Sequence, residues 1–227
     1  MTDERQTLSR RERLRAQTLQ EIEDVSFAII DADGVHALSF AALARTMAMS
    51  APAVYRYFPS REALVAHLVT VSYQQLADAV REAAEGGKRT PRVRVRLLVA
   101  AYRDWALRYP RRYGMLFGDM PSDMSGNTPL DQAMAALIDL LSIIQGPSPA
   151  DAGSGDRALD GQLRRWAIAQ DRPATSPRAA RVAILIWTRV HGIVSLELTG
   201  IFGNQTVDAQ RLIELETDNA ISALVGT

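Results

Sequence analysis

The chain has 227 residues, no cysteine, and 26 basic side chains against 26 acidic ones. Its 47% apolar content can bury a sizeable core, which argues against general disorder. The lack of cysteine removes disulfides and thiolate zinc sites and fits a reducing cytoplasm. Zero net charge argues against a globally basic nucleic-acid binder, so charge placement must decide. Residues 1–67 are nearly neutral, yet Arg10, Arg11, Arg13 and Arg15 crowd together with only Glu12 among them. By itself that run reads equally well as the solvated end of a helix. The start is polar and charged, and no run of about 18 apolar residues occurs. Neither a signal peptide nor a membrane span is expected, and the expected location is cytoplasmic.

No segment alternates apolar and polar residues in strand fashion, so the expected class is all-α. Leu14, Ile22, Val25 and Ile29 fall on one face of a helix over 9–33, which Gly34 ends. Ser39 caps a second helix over 40–47. Pro52 suits the first turn of a third, and Pro59 stops it by Phe58. Ser60 caps a fourth that runs to Gly86–Gly87, with Leu64, Leu68 and Val71 inward. Helices follow over 91–108 and 110–117. Residues 119–129 read as a loop, and 146–155 as the most flexible stretch by composition. Helices are expected over 130–144, 157–170, 178–199 and 206–225, the last two separated by Gly200–Asn204.

The second and third helices, about two turns each and joined by three or four residues, make a helix-turn-helix pattern. Phe40, Leu43, Ala44, Met47 and Val54 supply its apolar contacts. Tyr55, Arg56 and Tyr57 are then left facing largely outward. Two phenols beside a guanidinium are poor choices for a purely structural face. They suit duplex DNA, because tyrosine hydroxyls donate to phosphates and arginine can pair with guanine in the major groove.

Residues 38–69 resemble the DNA-binding region of the tetracycline-repressor (TetR) family. The match is carried by Ser39, Phe40, Leu43, Ala44, Ser50, Tyr55, Tyr57, Phe58, Arg61, Leu64 and Leu68. The resemblance implies a three-helix DNA-binding head over 1–60, a linking helix and boundary over 61–90, and a larger ligand-binding and dimerisation domain over 91–227. It implies phosphate contacts for Ser39, Tyr55, Tyr57 and Arg61. Ser50, Ala51, Ala53 and Arg56 would lie at the major groove, with the Arg10–Arg15 arm, Arg10 and Arg11 included, along the backbone or minor groove at the edge of each half-site. Ser39 and Ser60 can also be caps. Where the family commonly has glycine in the interhelix turn, this chain has Ala48. A positive φ there would cost on the order of 1 kcal/mol.

In the C-terminal part, Leu98, Ala101, Tyr102, Trp105 and Tyr109 recur at helical spacing, with Tyr113, Trp166, Trp187 and His191 further on. Each aromatic alone reads as core. Together Tyr102, Trp105, Tyr109, Tyr113, Trp166, Trp187 and His191 could line a cavity for a small apolar or aromatic ligand. Trp187, His191, Gly192 and Glu197 resemble the Trp-His-Gly pattern of one C-terminal subtype of the family. Gly192 in mid-helix suggests a close helix crossing or a bound ligand. The helices over 178–199 and 206–225 carry more apolar residues than one buried face needs, which suggests a two-fold interface.

The three histidines, His36, His67 and His191, show no ligand spacing, and no Walker loop, nucleophile elbow, zincin helix or dinucleotide fingerprint occurs. No catalytic residue, metal or cofactor is expected. The expected function is that of a homodimeric regulator, a repressor, on palindromic double-stranded operator DNA, released by a small ligand. The rival readings are a regulator without such a ligand and a helical partner-binding module.

Overall fold

The computed structural model describes residues 9–85, 87–118, 129–146, 153, 155–203 and 207–225. Gly86, nearly all of the expected 119–129 loop and most of 146–155 lie outside them. No strand occurs among the described residues.

Helix α1 (Arg10–Asp33) starts at a reciprocal capping box. The Glu12 N–H donates to Ser9 Oγ at 3.2 Å, and the Ser9 N–H donates to Glu12 Oε2 at 2.7 Å. The basic run is therefore helical from its first arginine. Gly34, at φ 86°, stops the helix before a 3-10 turn over Val35–Ala37. Ser39 caps α2 (Phe40–Thr46) by accepting the Ala42 N–H at 3.1 Å. Pro52 sits in the first turn of α3 (Ala51–Tyr55), and Ser60 caps α4 (Arg61–Ala84) through the Ala63 N–H. Further on come α5 (Pro91–Arg108), α6 (Pro110–Phe117), α7 (Pro129–Gln145), α8 (Arg157–Ala169), α9 (Pro177–Leu198) and α10 (Ala209–Val225).

Packing divides the chain within α4. Among the described residues, one compact unit holds 9–72 and 111–118, and the other holds the rest. The 110–117 helix, which by sequence order falls in the C-terminal part, thus belongs from Arg111 onward with the N-terminal unit. Arg112 explains why. Its guanidinium lies 4.0 Å from the ring centre of Phe27 and is paired with Asp31 at 2.6 Å, both on α1. The core of this unit is Ile22, Ile30, Leu38, Leu43, Val54, Leu64 and Leu68, all fully buried. Each such aliphatic side chain contributes about 1.5–3 kcal/mol.

In the second unit α9 is central and packs against α5, α7, α8 and α10. It alone among the described helices is long and apolar enough to cross a membrane by length and composition. Its Ala180, Val182, Ile186, Val190 and Val194 are buried in protein instead, the pattern of a core helix. Arg103 of α5 grips Glu197 of α9 with two hydrogen bonds, at 2.6 and 2.8 Å, and reaches Gln210 of α10 at 3.3 Å.

Candidate nucleic-acid interface

The interhelix turn is closed by the backbone alone. The Met49 N–H donates to the Ala44 carbonyl at 2.9 Å and the Ala48 N–H to the Arg45 carbonyl at 3.3 Å. This is the Schellman arrangement, which places its left-handed residue at position 48. Ala48 takes φ 51° there, so the strain anticipated at this alanine is present. The turn sets the direction in which α3 leaves α2. Val54 and Phe58 point inward, at 0% and 7% exposure.

Tyr55 is 57% exposed and touches Phe40 edge-on at 4.7 Å, so its ring is propped while its hydroxyl end stays free to bond outward. Arg56, Ser50 and Ala51 are exposed and Ala53 is half-buried. Ser50 makes no side-chain cap bond, which leaves its hydroxyl for an external partner. Tyr57 is only half-buried, and the guanidinium of Arg15 lies 5.1 Å from its ring centre. Arg10 and Arg11 are exposed on the first turn of α1. Arg61, which the resemblance puts at a phosphate, is turned to the protein. Its Nε donates to the Leu38 carbonyl at 2.7 Å and one Nη to the Val35 carbonyl at 2.6 Å. His67 of α4 meets Glu23 of α1 at 2.7 Å and tilts against Phe58 at 5.2 Å, bracing the base of α3.

The seven aromatic and histidine positions proposed for a ligand do not all line one cavity. Tyr102, Trp187 and His191 form one group. The Tyr102–Trp187 rings are 5.1 Å apart, and the Tyr102 hydroxyl shares a hydrogen bond with His191 Nδ1 at 2.9 Å. Burial pushes the His191 imidazole below its ordinary value of 6.5. The cavity beside Tyr102 and Trp187, lined otherwise by Val80, Leu98, Leu137 and Ile186, measures about 20 Å³, room for about one water. Trp105 and Tyr109 lie 5.6 Å apart and border an open groove of about 570 Å³ with Asp78, Glu82, Asp104 and Arg108. Trp166 packs in a satellite cluster with Leu163, Ala167, Ala180 and Ile184. Tyr113 belongs to the N-terminal unit, where its ring lies tilted against Phe117 with centres 4.8 Å apart. Helical spacing alone cannot reveal this scatter, because one stripe can face different neighbours along its length. A Cβ built on Gly192 would meet nothing within 4 Å, so no described helix crosses closely there.

A short helix held end-out on a two-helix unit, with a tyrosine and an arginine at its exposed end, defines a DNA-reading protein of the helix-turn-helix class. Residues 22–68 match the family described as bacterial regulatory proteins, tetR family, and residues 95–220 match the family described as tetracyclin repressor-like, C-terminal domain. The chain belongs to the TetR family and is a DNA-binding transcriptional regulator. It is similar to the solved structure of protein SCO4313, at 33% identity and TM-score 0.75 over 93% of this chain and 98% of that one. It is also similar to the HTH-type transcriptional regulator Mb1846 of Mycobacterium bovis, 28% identical over 180 residues, 75% of this chain and 76% of the relative. A structure from Rhodococcus sp. RHA1, of unknown function, shares the fold at TM-score 0.67 and 20% identity, over 99% of this chain and 100% of that one. The matched family and the mycobacterial relative are transcriptional regulators, not enzymes. The Trp-His-Gly likeness rests on Trp187, His191, Gly192 and Glu197 alone.

Proposed function

We propose that this regulator is a cytoplasmic homodimeric repressor that reads a two-fold-symmetric operator and leaves it when a small apolar or aromatic molecule binds the C-terminal unit. The observation that carries the DNA reading is the exposed end of α3. Tyr55 and Arg56 stand in solvent on a turn whose geometry is held by backbone bonds, with Ser50 and Ala51 beside them. Ser50, Ala51, Ala53 and Arg56 would meet base edges; Ser39, Tyr55 and Tyr57 would meet phosphates. Two heads on one operator would bind half-sites about one helical turn apart, roughly 34 Å.

Two features support the homodimer. Leu196 of α9 and Leu215 of α10 are 43% and 57% exposed after the unit has packed. Gly192, one turn before Leu196, leaves the α9 surface open to a closely approaching partner helix. Paired faces of this kind build a four-helix interface. One observation favours the rival regulator without a ligand: the aromatic interior is almost filled, so a ligand at Tyr102, Trp187 and His191 would have to open it.

The test is footprinting of the intergenic DNA beside this gene. Protection of an inverted repeat, lost in Tyr55→Ala, supports the reading; protection of nothing at low salt would sink it. Release of that DNA in a small-molecule screen followed by thermal shift separates ligand control from its absence.

A further inference from the structure

We infer that the head's grip on the phosphate backbone runs through Arg11 and Arg15 of α1, with the Arg15 guanidinium lying over the Tyr57 ring, and that Arg61 is a positioning residue. This deepens the DNA-binding reading and rests on it. Arg15 and Arg61 differ in what their guanidinium groups meet. Phosphate recognition uses the planar N–H edges of that group. In Arg61 the edge formed by Nε and one Nη is taken by the carbonyls of Leu38 and Val35. That edge ties α4 to the segment leading into Ser39 and fixes the start of α2. In Arg15 the guanidinium carbon lies over the Tyr57 ring, 5.1 Å from its centre, and its N–H groups meet no acceptor among the described residues, so they remain for an outside one.

The surroundings agree. Thr18, Glu21 and Val25 of α1 border one groove with Met49, Arg56 and Tyr57, so this face of α1 adjoins the exposed end of α3. Arg11 is one turn before Arg15 and shares its face. Arg13 lies about 200° around the helix from Arg15 and points elsewhere. Because the Ser9–Glu12 capping box makes the run helical, Arg11 and Arg15 are held at fixed positions. Only part of the basic run then adds charge to the DNA face.

The test is fluorescence anisotropy of the full-length chain with a labelled random-sequence duplex of roughly 40 base pairs, titrated between about 50 and 200 mM salt. Each lost phosphate contact lowers the slope of log affinity against log salt by about 0.9. R11Q and R15Q should each lower the slope by about that amount, and R13Q should not. R61Q should weaken binding at every salt concentration and lower the melting temperature while leaving the slope alone. R61K keeps the charge but lacks the two-pronged edge, so it should behave as R61Q does; it also decides the matter if R61Q does not fold. An unchanged slope in R15Q, or a slope lowered by about one contact in R61Q, overturns the assignment. Wild-type protein that binds no duplex at all refutes the DNA-binding reading itself, a separate outcome.

Discussion

Ser39 accepts a hydrogen bond from an N–H three residues ahead, whereas Arg103 holds a carboxylate 94 residues away. The contrast runs through the two units. The N-terminal unit sets the path into its reading helix with short-range devices, a capping box, a serine cap, a left-handed turn and a proline in a first turn, and braces it with a few longer contacts such as Arg61 to Leu38 and His67 to Glu23. The C-terminal unit holds its shape with long-range aliphatic packing around α9 and with ion pairs between distant helices. Local devices can be recognised wherever they occur, and they constrain the path of the chain directly. Distant packing constrains which helices meet, and much of it leaves no local trace.

The sharpest way to break the comparison is to empty each core. Leu43→Ala in the head should cost about 3 kcal/mol and abolish duplex binding, read by urea melts and anisotropy. Intact binding by this variant would mean that α2 does not need its core to present α3. Next comes the C-terminal strut: Arg103→Met strands Glu197 at 19% exposure and should cost about 2 kcal/mol, with little change in duplex binding by the folded protein. Ser39→Ala should cost about 1 kcal/mol through the lost cap, whereas Ala48→Gly should gain up to about 1 kcal/mol by relieving the left-handed alanine. A destabilised Ala48→Gly would show that the turn is not strained.

The smallest effect is a pH slope in the C-terminal unit. Burial holds His191 below its ordinary 6.5, so the unfolded chain takes up the proton first. Stability is therefore fully present above about 6.5 and declines as the pH falls from there toward the depressed folded value. His191→Gln should flatten that part of the stability curve. An unaltered curve would assign the slope to other groups.

Most helix limits were legible because their stops are chemical. Gly34 at φ 86°, Ser39, Pro52 and Ser60 act within one turn of where they stand. The exposed Tyr55 and Arg56 were legible for a related reason, since the inward positions of so short a helix are filled by Val54 and Phe58. Arg61 was not legible as a clasp, because its partners are backbone carbonyls, which carry no sequence signal. The placement of the Arg15 guanidinium over the Tyr57 ring was not legible either, since it joins residues 42 positions apart. What surrounds the aromatic stripe was not legible for a third reason: helical spacing tells which residues share a face, not what covers it. Tyr102 therefore meets His191, while Trp105 borders a separate groove.

The sequence by itself determined that the chain is helical in class and, to within about a turn, where most of its helices begin and end. These follow from backbone chemistry acting over a few residues. Only the tertiary structure decided that α6 packs with the N-terminal unit, that the proposed ligand residues are scattered, and that Arg15 and Arg61 direct their charge differently. Those outcomes depend on which surfaces meet after long loops close, and burial, which sets that choice, is non-directional.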